Sequence, residues 1–122
     1  MEWRVDFHPG FASEFSGLAE AAQDEIAALI EMLKTFGPHM KRPGSDTLNG
    51  SRHANMKELR FNADDGVWRV AYAFDLRRNA ILLVAGDKSS VSQKRFYKAL
   101  IAKADARFDE HLAYIKRKEH LK

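Results

Sequence analysis

The chain has 122 residues, 45% of them hydrophobic and 30% charged, with a formal charge of +3 and no cysteine. That length suits one domain with its own core, and the lack of cysteine excludes disulfides and thiolate metal sites. No apolar run approaches the roughly 20 residues of a membrane helix, and the opening Met1-Glu2-Trp3-Arg4 lacks the layout of a secretory signal. A single cytoplasmic domain over 1–122, away from any membrane, is therefore expected.

In chain order, Trp3, Val5 and Phe7 alternate with charged residues, so 2–7 is predicted to be a strand that His8-Pro9-Gly10 ends. From Phe11 to Phe36 the apolar residues recur at helical spacing. Gly17 breaks the pattern, giving a short helix and a longer one over 20–36, and Gly37-Pro38 is a helix stop. Residues 37–54, rich in Gly, Pro, Ser and basic side chains, are predicted to be a long loop, a length that usually signals function. Alternation over 56–62 and 67–74 around Asp64-Asp65-Gly66 predicts a hairpin. The continuous apolar run 80–86 predicts a strand buried on both faces. A last helix is expected over 92–116, with Phe96, Leu100, Ala104, Phe108 and Ile115 in its stripe, followed by a frayed tail to 122. The order is β-α-α-β-β-β-α, an α+β fold whose helices bury their stripes on one face of a sheet and leave the other open.

Charge is unevenly placed. Residues 1–40 carry two basic and seven acidic side chains, and residues 41–98 carry twelve and six. A basic middle suits a polyanionic ligand, and scattered solvated charge is the plainer alternative. Period-two alternation puts Leu59, Phe61, Trp68, Val70, Tyr72 and Phe74 under the helices, with Trp3 also in the core. Glu58, Arg60 and Arg69 then fall on the open face, Arg69 rising from a floor of Ala71 and Ala73. Arg52, His53 and Lys57 lead into that hairpin, and Lys88, Lys94, Tyr97 and Lys98 follow the last strand. If the ligand is RNA, cleavage by a neighbouring 2′-OH needs a base, an acid and positive charge for the transition state, which guanidinium groups supply. Each residue has a second reading. Glu58, Arg60 and Arg69 can form a purely structural cross-strand cluster. His53 can be an ordinary loop histidine, Lys88 a turn lysine and Tyr97 a half-buried helix residue. The five histidines show no metal-binding spacing, and there is no phosphate loop or nucleophile elbow, so neither metal nor cofactor is expected.

The run Arg42-Pro43, Thr47-Leu48-Asn49-Gly50-Ser51-Arg52 and Asn55-Met56-Lys57-Glu58-Leu59-Arg60-Phe61 resembles the phage-derived HigB-like branch of the RelE/ParE toxin superfamily. So do Trp68-Arg69-Val70-Ala71-Tyr72-Ala73-Phe74-Asp75, Leu83-Val84-Ala85-Gly86-Asp87-Lys88 and Arg95-Phe96-Tyr97, and the similarity covers nearly the whole chain. The resemblance implies a RelE-like fold: a small mixed, largely antiparallel sheet with two N-terminal helices packed on one face, and a C-terminal helix. It also implies a toxin of a type II toxin–antitoxin system that cuts mRNA in the ribosomal A site without a metal, leaving a 2′,3′-cyclic phosphate. The partner implied is an antitoxin of helix-turn-helix type. By position, Arg60 and Arg69 resemble the arginines that hold the scissile phosphate, and Lys57 and Lys88 the cleft lysines. Arg52, His53, Glu58, Lys94 and Tyr97 are the expected substrate contacts. The base and acid do not carry over: relatives often use a Tyr or His near the chain's end, leaving Tyr97 and His53 as candidates. Two other functions stay open, a non-enzymatic inhibitor of DNA gyrase, as in one branch of the superfamily, and an inactive nucleic-acid-binding relative.

Overall fold

In the computed structural model, which describes residues 2–120, the chain forms one five-stranded sheet with helices on both faces. The elements run β1 (Val5–Phe7), α1 (Pro9–Phe15), α2 (Glu20–Phe36), a 3-10 turn (Gly37–His39), β2 (Ser45–Thr47), β3 (Lys57–Ala63), β4 (Gly66–Phe74), β5 (Ala80–Asp87) and α3 (Gln93–His120). The sheet order is β1-β5-β4-β3-β2, with β1 parallel to β5 and every other pairing antiparallel.

Local chemistry sets the boundaries. The His8 imidazole accepts a hydrogen bond from the Gly10 N–H at 2.9 Å and Pro9 opens the helix, so α1 starts where β1 must stop. Gly37 ends α2 at φ 53°, and a Cβ there would lie 2.5 Å from the Trp3 indole. Asp64 and Asp65 both adopt positive φ, as a two-residue I′ hairpin turn requires. The next hairpin is tied by Asp75, whose carboxylate accepts from the Arg77 and Asn79 backbone N–H groups at 2.9 and 3.0 Å.

The predicted alternation holds on the first face. Leu59, Phe61, Val70, Tyr72 and Leu82 are buried against Phe11, Ile26, Leu29 and Leu33 of α1 and α2, and Trp68 and Phe74 pack there half-buried. Trp3 sits at the rim, half-buried against Phe74, and is not core.

Three expectations are corrected. The second face is not left open, because α3 lies across β5 and β4, burying Phe96, Leu100, Ala104 and Phe108 against Ala71, Ala73, Ile81 and Leu83. The small floor that suggested room for a substrate is room for this helix. The 37–54 segment is not a bare loop: β2 pairs with β3, pinned by a buried 2.6 Å hydrogen bond between Ser45 Oγ and Tyr72 OH. And α3 continues to His120, past the point where a frayed tail was expected, while Leu121 and Lys122 lie outside the described residues.

Candidate active site

Beside the first turns of α3, the second face of the sheet carries charge. In the strand register Asp46 is opposite Glu58, Glu58 opposite Ala71 and Arg60 opposite Arg69, so all four charged side chains share that face. Two arginines directly opposite each other repel unless a carboxylate intervenes. Glu58 does so: its Oε2 accepts from Arg60 Nη1 at 3.2 Å, and its Oε1 lies 3.8 Å from Arg69 Nε.

α3 completes the group. Gly86 lets the helix come close, since a Cβ there would meet the Phe96 ring at 2.8 Å, and the following residue, Tyr97, reaches the cluster. Arg69 Nε donates to Tyr97 OH at 3.2 Å, and Tyr97 OH donates to Glu58 Oε1 at 2.9 Å. Arg69 Nη1 donates to the Trp68 carbonyl at 2.8 Å. Glu58 and Arg69 are only 3% and 5% exposed, so Arg69 is not the projecting side chain expected but a buried one, held from three sides. Burial pushes the Tyr97 hydroxyl up from its ordinary pKa. A charged pair this deep needs every partner it has, because an unpaired charge there costs several kcal/mol (roughly 3–5).

Outside the buried relay the face opens into a depression of about 460 Å³ lined by Arg42, Pro43, Arg60, Phe61, Asn62 and Arg69. Lys88 directly follows β5, its Nζ 5.7 Å from the Tyr97 ring centroid. Desolvation, with the charges of Arg69 and Arg60 beside it, brings the Lys88 ammonium below the usual lysine range. Lys94 is exposed in the first turn of α3, one turn before Tyr97.

The other expected site residues lie elsewhere. Lys57 pairs with Tyr72 and so belongs to the α2 face, away from Glu58 and Arg60. Arg52 and His53 are held by the middle of α3. Arg52 pairs with Asp109 and lies 3.6 Å from Asp105, and His53 Nε2 is 2.8 Å from Asp109 Oδ1. Asp109 is twelve residues beyond Tyr97 on α3, about 18 Å along the axis. There His53 lines a separate groove of about 650 Å³ with Asp75, Leu112 and Ile115. Asp46, which accepts from Arg42 at 2.7 Å, was not foreseen; only the β2–β3 register reveals it. Among the described residues no group of three or more His, Asp or Glu side chains is placed to hold a metal ion. No helix among them is long and apolar enough to cross a membrane.

A buried carboxylate, a hydroxyl and two guanidiniums at the foot of a basic depression can take a proton and bind a phosphate at one place. Comparison with known proteins places the chain in a family and a fold. The family described as phage derived protein Gp49-like (DUF891) matches residues 13–109. Two Mycobacterium tuberculosis (strain ATCC 25618 / H37Rv) proteins are similar. The one named as toxin HigB2 is 41% identical over 112 residues, 91% of this chain and 55% of that protein. The one named as toxin HigB3 is 40% identical over 99 residues, 81% of this chain and 84% of that one. The chain thus spans about half the length of the first relative. Among solved structures, a free-state arginine-to-alanine double mutant of E. coli toxin RelE superposes with TM-score 0.61 at 12% identity, over 84% of this chain and 97% of that one. An archaeal RelE–RelB complex from Pyrococcus horikoshii OT3 gives 0.53 at 18% identity, over 75% and 100%. The fold is therefore RelE-like.

Proposed function

The chain belongs to the phage-derived Gp49-like family, and from that premise we propose that it is the toxin of a type II toxin–antitoxin system, cutting translated mRNA in the ribosomal A site. The observation that carries this reading is the relay from Arg69 Nε through Tyr97 OH to Glu58 Oε1 at the foot of a depression lined by Arg60 and Arg69. Glu58 takes the proton of a ribose 2′-OH, directly or through Tyr97. The 2′-oxygen then bonds to the adjacent phosphorus, and the bond from phosphorus to the 5′-oxygen breaks, leaving a 2′,3′-cyclic phosphate. Lys88, whose ammonium gives up its proton more readily than an ordinary lysine's, supplies the proton to the departing 5′-oxygen. Arg60 and Arg69 face the extra charge of the transition state, where a fixed donor is worth most. The step requires only these side chains and no cofactor.

The partner is an antitoxin of helix-turn-helix type, and the setting is the cytoplasm, where translated mRNA lies. Support for an antitoxin partner comes from the similarity to proteins named as HigB toxins, and from a RelE–RelB complex that shares the fold. The test is induction of the chain alone followed by primer extension on an abundant message. Growth arrest with new 5′ ends inside translated codons is expected. Arrest with intact messages and inhibited gyrase would replace this reading with the gyrase one.

A further inference from the structure

Two of the arginines that line the depression, Arg42 and Arg60, already hold an anion supplied by the chain. Asp46 Oδ2 accepts from Arg42 Nε at 2.9 Å and Arg42 Nη2 at 2.7 Å, and Arg60 Nη1 is 3.5 Å from the same oxygen. A single carboxylate oxygen thus serves two nitrogens of one guanidinium and the edge of a second. Around this face Arg42, Arg60 and Arg69 alternate with Asp46 and Glu58, three cations to two anions. Glu58 is buried, but the Asp46 and Arg42 side chains are 33% and 70% exposed, and an ion pair this open contributes little to stability. The Arg42 guanidinium holds the Asp46 carboxyl below the usual carboxylate range, so it is ionised at neutral pH. A phosphate offers the same fork-matching acceptor geometry with several oxygens, and it binds arginine through two parallel hydrogen bonds.

We propose that Arg42 and Arg60 form a second phosphate subsite for the polynucleotide, neighbouring the phosphate that is cut, and that Asp46 is its internal occupant, displaced when RNA binds. The inference rests on the RNA-cleaving reading above and adds to it where a neighbouring phosphate sits and what competes with it. In the free chain Asp46 keeps both guanidiniums aligned. When RNA arrives, the carboxylate swings aside and becomes a repulsive charge near the backbone. Asp46 therefore weakens binding, which a structural role for the pair would not predict.

The experiment measures binding of a short 2′-O-methyl oligoribonucleotide, which cannot be cleaved, by fluorescence anisotropy at several salt concentrations. The parent chain, Arg42→Ala, Asp46→Asn and the remote control Lys118→Ala are compared, with a melting curve for each and cleavage of a translated message alongside. Arg42→Ala is expected to weaken binding about threefold to tenfold and to lower the salt slope by about 0.7, the share of one phosphate contact on a single strand. Asp46→Asn is expected to tighten binding by a similar factor at an unchanged melting temperature, with Lys118→Ala at the parental value. Asp46→Asn binding weaker than the parent, or both variants binding as the parent does, overturns the subsite and leaves the cleavage reading standing. A parent chain that cuts translated mRNA yet does not bind the oligonucleotide also overturns the subsite alone. A parent chain that neither binds nor cuts overturns both.

Discussion

Replacing Tyr97 by Phe removes one oxygen atom and keeps the ring against Phe96. That oxygen bonds two charged groups at once, at 3.2 Å to Arg69 Nε and 2.9 Å to Glu58 Oε1. A hydrogen bond to a charged group contributes about 1.5–3 kcal/mol. Here the sum is smaller than two such bonds. Glu58 keeps Arg60, and Arg69 keeps the Trp68 carbonyl. A loss of about 2 kcal/mol follows. For 122 residues the unfolding entropy is about 0.26 kcal/mol/K, taking roughly 2.1 cal/mol/K per residue, so the Tm should fall by about 8 °C. Circular dichroism melts of parent and variant measure it. If the hydroxyl also relays the proton, cleavage should fall by about 10²-fold. A variant melting within about 2 °C of the parent would show that the hydroxyl does not bridge Arg69 and Glu58, and the relay would have to be abandoned.

The two lysines separate by face: Lys88→Ala should slow cleavage by about 10²-fold, and Lys57→Ala should leave the rate unchanged in the same assay. Equal losses would mean that the face assignment does not govern function. Ser45→Ala leaves the buried Tyr72 hydroxyl unpartnered and should cost about 1–2 kcal/mol, roughly 4–8 °C in Tm, whereas an unchanged melt would mean that β2 is not held there. Glu14 receives both Arg107 Nη groups, at 2.8 and 2.6 Å, and that bond holds its carboxyl below the usual range. A carboxyl depressed in the folded state stabilises above its unfolded pKa of about 4.3, and this contribution is lost as pH falls through the folded value. The Tm gap between parent and Glu14→Gln should therefore be present at pH 7 and close as the pH falls below the unfolded carboxylate range; a gap that widens on acidification contradicts the assignment.

Much of the sheet was legible because alternation is local. Two consecutive strands with Leu59, Phe61, Val70 and Tyr72 in phase admit one register, since a slip by one residue would expose them all. The same rule applied to Lys57 places it with Leu59, so that its position on the α2 face is legible in the sequence. What alternation does not say is which face a helix covers. The stripe of α3 was plain, but Ala71 and Ala73 suit a helix and a substrate equally well, and the helix took the space. The remaining features are non-local. β2 has no apolar pattern and is held by a tyrosine 27 residues away. Arg52 and His53 are captured by carboxylates more than 50 residues further on, at Asp105 and Asp109. Nothing near them in the chain marks that pairing.

In the proposed reaction Glu58 takes the 2′-OH proton. Single-turnover cleavage of an mRNA held in the ribosomal A site, comparing the parent with Glu58→Gln and identifying the 3′ end produced, isolates that role. The parent should leave a 2′,3′-cyclic phosphate, and the variant, isosteric and still folded by its melt, should bind the programmed ribosome but cut about 10²–10⁴-fold more slowly. A Glu58→Gln chain that cuts at the parental rate, or a parent that leaves a 3′-hydroxyl, would contradict the mechanism.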